Sequence, residues 1–101
     1  MINDVRRRAL DTVRRLVFDR LAGYPARVYL FGSCARGAPR PYSDIDVAIE
    51  PLHPLPPALL ATLAEDLEDS TVPYFVDVVD LSTASPGIRR AVTEEGIEWT
   101  P

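Results

Sequence analysis

The sequence predicts an α/β (α+β) domain, a small mixed sheet of three to four strands with flanking helices. Three observations point there. Apolar residues recur at steps of three and four through the first 22 positions, three short strand-like runs rich in β-branched residues follow, and two further helical patterns separate and succeed the later runs. The resulting order is α-β-β-α-β-α, with no internal repeat and no linker long enough to divide it. A chain of 101 residues buries roughly 60 to 70% of its unfolded surface, so residues 1–101 are expected to form one domain.

Ile2, Val5, Ala9, Val13, Leu16, Val17 and Leu21 define an amphipathic helix over 3–22. Asn3 is its N-cap, and Gly23 followed by Pro25 stops it. Its outer face offers Asp4–Arg8 and Asp11–Arg15 pairs at i,i+4, each worth about 0.2 to 0.5 kcal/mol. The arginines therefore read as a solvated face, with a protein-partner surface left open. Ala26 to Phe31 reads as a strand ending at Gly32, residues 33–38 as a short helical turn, and Pro39 with Pro41 as a loop. From Asp44 to Glu50 the chain alternates. Ile45, Val47 and Ile49 share one face, while Asp44, Asp46, Ala48 and Glu50 share the other. Pro51 ends that strand, and a proline-rich loop containing His53 leads to a helix over 56–69 on Leu60, Leu63, Ala64 and Leu67. Tyr74 to Asp80 is a third strand, 86–95 a last helix closed by Gly96, and Ile97 to Thr100 a short edge strand.

Composition excludes several chemistries. All 11 basic residues are arginine, which removes Schiff-base and pyridoxal enzymes, the P-loop lysine and the kinase ATP lysine. One Cys and one His cannot build a structural zinc site within one chain. The lone Cys34 has no internal disulfide partner, no apolar run is long enough to span a membrane, and no signal peptide is expected, so the expected location is cytoplasmic. Charge is divided: residues 1–40 carry nine arginines and three acids, a net +6, and residues 41–101 carry two arginines and twelve acids, a net −10. Such asymmetry points to charged ligands or partners.

The informative stretch is Gly32-Ser33-Cys34-Ala35-Arg36-Gly37, five residues, then Ser43-Asp44-Ile45-Asp46. As G-S-x3-G-x5-S-D-x-D it fixes six positions, with chance odds on the order of 10⁻⁷ per starting position. Gly32 permits a sharp turn and close backbone approach to a ligand. Ser33 opens a turn whose N–H groups and hydroxyl suit a phosphate. Asp44 and Asp46 project from one face and repel each other unless a cation lies between them, and hard oxygen donors favour Mg²⁺. A two-metal centre for in-line phosphoryl displacement needs a third carboxylate. Asp77 and Asp80 both lie on the third strand but on opposite faces; Asp77, mid-strand among apolar neighbours where an unpaired carboxylate is hard to tolerate, is the better metal candidate, and Asp80 reads as a strand-end residue. Arg36 reads as a phosphate contact or as a surface arginine, and Ser43 as a cap of the strand's start or as a turn residue. Cys34 reads as a small semi-buried residue, His53 as loop filler and Trp99 as core cover.

The Gly32–Asp46 motif followed by Val76-Asp77-Val78-Val79-Asp80-Leu81 resembles the minimal nucleotidyltransferase (MNT) domain of the DNA polymerase beta superfamily, in particular the MntA-type antitoxins paired with HEPN toxins. The resemblance covers nearly the whole chain. It implies the polymerase beta-like fold, with Gly32 and Ser33 contacting the nucleoside triphosphate, Asp44 and Asp46 binding two Mg²⁺ ions, and Asp77 as third ligand near the attacking hydroxyl. Gly37, Arg36 and Ser43 complete the candidate nucleotide-binding set. It further implies transfer of AMP from ATP to a tyrosine hydroxyl of a HEPN ribonuclease, with release of pyrophosphate and silencing of the toxin. Two alternatives stand beside it: an antitoxin that blocks its partner by contact alone, and a nucleotidyltransferase for a small-molecule or RNA acceptor. The negative overall charge disfavours direct nucleic-acid binding.

Overall fold

In the computed structural model, which describes residues 2–101, the elements are α1 (Asp4–Leu21), β1 (Ala26–Phe31), β2 (Ile45–Pro51), α2 (Leu59–Glu68), β3 (Val76–Asp80), α3 (Pro86–Glu95) and β4 (Ile97–Trp99). The four strands form one mixed sheet in the order β3-β2-β1-β4. β1 runs antiparallel to both β2 and β4, whereas β2 and β3 are parallel and need the α2 crossover between them. Every predicted helix and strand is present, with ends shifted by three residues at most. β2 begins at Ile45 rather than Asp44 because Ser43 closes a turn, its N–H donating to the Arg40 carbonyl at 3.0 Å and its Oγ accepting from the Arg40 N–H at 2.8 Å.

α1 starts where the sequence places it, with Asn3 Oδ1 accepting from the Arg6 N–H at 2.8 Å. Replacing Asn3 by Ala is expected to cost about 1 kcal/mol, read as a lower urea midpoint at unchanged slope. The surface pairs differ from expectation. Asp4 pairs with Arg7 at 3.3 Å and Asp11 with Arg14 at 3.7 Å, both at i,i+3, in place of Arg8 and Arg15. All four side chains are solvent-exposed, so the exchange matters little energetically. A larger correction concerns the helix phase: the inward stripe is Arg6, Ala9, Val13, Val17 and Leu21. Val5, expected in the stripe, is 55% exposed, while Arg6, expected on the solvated face, is 2% exposed.

α1 and α2 pack on one face of the sheet against Val28, Leu30, Ile45, Val47 and Ile49, with Leu63 and Leu67 from α2 and partly buried Val76, Val78 and Trp99 at the margin. An Arg20–Asp66 pair, at 2.7 and 2.9 Å, ties the two helices at the surface. The Arg20 guanidinium holds the Asp66 carboxyl below the usual carboxylate range. Its contribution is present above that range and fades as pH falls through the lowered value. α3 covers part of the opposite face, where Val92 packs on Phe31 and Ala48, flanked by Tyr29, Val79, Ile88 and Ala91. No helix among the described residues is long and apolar enough to cross a membrane.

Candidate active site

The α3 face of the sheet carries the carboxylates. Strand register places Phe31 opposite Asp46 and Asp46 opposite Asp77, so the end of β1, the start of β2 and the start of β3 meet in one row. Alternation then puts Asp46 and Asp77 on one face, opposite the Ile45 and Val76 side chains of the main core. Asp44 immediately precedes β2 and is exposed; Asp46 is half-buried. Asp77 is exposed, which corrects the expectation that a carboxylate there would be hard to tolerate: β3 is an edge strand with this end of its face open. Asp80 takes the strand-end role expected of it, its Oδ1 accepting from the Ser82 N–H at 2.8 Å and the Ser82 hydroxyl at 2.6 Å.

These acids interact through their charge. Burial, then Asp77, then Asp44 push the Asp46 carboxyl above its ordinary value, and only Arg36 works against them. A carboxylate strained in that way, on a row of hard oxygen donors, suits a divalent cation. Among the described residues no three His, Cys, Asp or Glu side chains converge closely enough to hold an ion as they stand. The acids thus share a face rather than form a closed cage. By donor type and by their placement at the starts of β2 and β3, Asp44, Asp46 and Asp77 are the residues that would hold a divalent cation.

Gly32 adopts φ +75°, and a Cβ built there would collide with Asp46 Oδ2 and lie 3.2 Å from its Cγ. The turn that follows is held by hydrogen bonds from the Arg36, Gly37 and Ala38 N–H groups to the Gly32, Cys34 and Ser33 carbonyls, all at 3.2 Å. It is a single turn rather than a helix, and its leading N–H groups, at Ser33, Cys34 and Ala35, donate to no carbonyl within it. Arg36 is exposed and its Nη1 donates to Glu95 Oε2 at 2.8 Å, linking the turn to the end of α3. Of the two readings of Ser43, the structure shows the turn residue, its hydroxyl engaged by Arg40. Cys34 is only 3% exposed, and burial pushes its thiol up, so it remains neutral. His53 lies on the distant loop after β2 and is exposed.

One residue at the site is absent from every sequence pattern. The buried guanidinium of Arg6 reaches from α1 under the loop that leads to Asp44. Its Nη1 donates to the Ser43 carbonyl at 2.6 Å, and its Nη2 to the Arg40 carbonyl at 3.0 Å and the Pro41 carbonyl at 3.5 Å. Its Nη1 also lies 3.7 Å from Cys34 Sγ, and its plane rests 3.6 Å above the Tyr74 ring.

The polymerase beta nucleotidyltransferase family matches residues 20–98. A Haemophilus influenzae protein named probable protein adenylyltransferase MntA is 30% identical over 89 residues, which span 88% of this chain and 76% of that protein. Two solved structures are similar over most of the chain. One is a tri-AMPylated Shewanella oneidensis HEPN toxin in complex with an MNT antitoxin, with TM-score 0.67, 27% identity, and coverage of 94% of this chain and 72% of the matched one. The other is a toxin–antitoxin crystallised with AMP-PNP, with TM-score 0.68, 29% identity, and coverage of 87% and 73%. A match that begins in α1 and ends in β4 takes in every strand and turn that delivers the carboxylates, and the chain belongs to the polymerase beta nucleotidyltransferase family.

Proposed function

We propose that the protein is a Mg²⁺-dependent adenylyltransferase antitoxin that transfers AMP from ATP to a tyrosine hydroxyl of a partner HEPN ribonuclease toxin and thereby silences it. The observation that carries this reading is the row formed by Phe31, Asp46 and Asp77 across three strands, with Gly32 packed against the Asp46 carboxylate, in a chain similar to a protein named for adenylyl transfer and to antitoxins solved with HEPN partners. The tyrosine oxygen attacks the α-phosphorus of ATP, a P–O bond forms, and the bond to the bridging oxygen breaks with its electron pair leaving on pyrophosphate. Two Mg²⁺ ions held by Asp44, Asp46 and Asp77 would neutralise charge on the attacking and leaving oxygens.

The chain's own residues supply placement. Gly32 and Ser33 bring backbone close to the triphosphate, and Gly37 with Arg36 closes the turn around it. Ser43 acts through its loop, holding Asp44 at the start of β2. Asp77 stands on the edge strand, where an acceptor carried by another polypeptide can approach, and its carboxylate can take the proton of the attacking hydroxyl.

Incubating the chain with ATP, Mg²⁺ and a HEPN partner toxin, followed by intact-mass measurement, is expected to show adenylyl increments on the partner, lost on substitution of the acceptor tyrosine by Phe. No increment on the partner, with the partner's ribonuclease still blocked, would replace this reading by inhibition through contact alone.

A further inference from the structure

We infer that Arg6 is the positioning residue of the active site, a single guanidinium that fixes the segments delivering Asp44, Asp77 and the nucleotide-binding turn relative to one another. The inference rests on the reading of those carboxylates as catalytic. The contacts of Arg6 fall on three parts of the site. Ser43, whose carbonyl it holds at 2.6 Å, is the residue before Asp44. Cys34, against its Nη1, belongs to the turn after Gly32, and the Cys34 thiol itself donates to the Asp44 carbonyl at 3.7 Å. Tyr74, beneath its plane, leads into β3 three residues before Asp77.

The chemistry of the contact set argues for placement. A buried cation is costly unless its N–H groups are satisfied, and an apolar side chain would continue the Ala9, Val13, Val17 stripe without that cost. What an apolar residue cannot do is donate to the Arg40, Pro41 and Ser43 carbonyls at once. A planar fork with fixed N–H directions suits that task, and a lysine, with one compact ammonium, does not. The arginine is itself anchored, because its backbone N–H is the one that Asn3 caps. The loop 40–43 is thereby referenced to the rigid first turn of α1.

The test compares the full chain with Arg6→Lys, Arg6→Met and Asp46→Asn, measuring melting, steady-state adenylyl transfer and amide hydrogen exchange over residues 40–45. For both Arg6 variants we expect a cooperative melt, faster exchange confined to that loop, and kcat lower by about tenfold to a hundredfold, as for a misplacement of around 1 Å, while KM for ATP changes far less. Arg6→Lys, which keeps charge and stem, decides the matter should Arg6→Met not fold. Wild-type kcat and wild-type loop exchange in a folded Arg6→Lys would overturn the inference, as would a kcat loss that merely follows the fraction unfolded. An active Asp46→Asn would instead overturn the reading of the carboxylates, whereas an inactive Asp46→Asn beside a fully active Arg6→Lys would remove only the role of Arg6.

Discussion

Asp46→Asn is expected to lower adenylyl transfer by about 10² to 10³-fold, the scale of losing one preorganised electrostatic group, and at the same time to raise thermal stability. The two effects share one cause. Burial and the facing charges of Asp77 and Asp44 raise the Asp46 carboxyl above its ordinary value, so the folded state holds the ionised form reluctantly. With the folded value above the unfolded one, the folded state binds more protons between the two, and stability falls as pH rises through that window. Above the raised value the whole of that loss is present. Asparagine keeps the shape and removes the charge, so the variant escapes it.

The pH dependence gives the measurement its sign. Thermal melts of the two proteins should coincide below the ordinary carboxylate range, diverge as pH rises through the raised Asp46 value, and stay apart at neutral pH with the variant higher. Mg²⁺ with AMP-PNP should then stabilise the parent more than the variant, by mass action on the folded state alone. An Asp46→Asn chain that melts below the parent at neutral pH would show that Asp46 is not strained by its neighbours, and one that transfers AMP at the parental rate would show that it takes no part in the reaction.

The strands and helices were legible because each rests on local periodicity. Ile45, Val47 and Ile49 alternate with Asp46 and Ala48, and the structure keeps that division, with the first set in the main core and Asp46 on the opposite face. Ala48 was legible only as a member of the polar face; its complete burial comes from α3, which lies on that face from a distance in sequence that periodicity does not record. The motif named Asp44 and Asp46 by residue type and spacing, and Asp77 followed from its place mid-strand, but the pairing of Asp46 with Asp77 is set by the parallel register of β2 on β3, and the exposure of Asp77 by the position of β3 at the sheet edge. Arg6 was illegible for two physical reasons. A charged residue at a stripe position counts against burial, and its partners are main-chain carbonyls 34 to 37 residues away, which no side-chain pattern encodes. The one signal available was that Arg6 precedes Ala9 by three and Val13 by seven, continuing the stripe.

Gly32→Ala is expected to destabilise the fold and disable the site together, and Gly23→Ala provides the comparison that separates the two. Both glycines hold positive φ, +75° at Gly32 and +84° at Gly23, where an L side chain costs roughly 1–2 kcal/mol. Gly23 lies in the turn after α1, and a Cβ there meets nothing within 4 Å, so its alanine variant should lose about that much stability and keep its full rate per folded molecule. At Gly32 the added Cβ would occupy the place of Asp46 Oδ2. Either the carboxylate swings off the row it forms with Asp77 or the turn shifts away from β2, and each displaces a reacting group. The expected result is a stability loss at least equal to that of Gly23→Ala, read from urea midpoints, together with a drop in transfer rate of about 10²-fold, the scale of a displacement near 1 Å. Equal rates per folded molecule in the two variants would mean that the turn after β1 does not set the position of Asp46, and the close packing of Gly32 on that carboxylate would then serve folding alone.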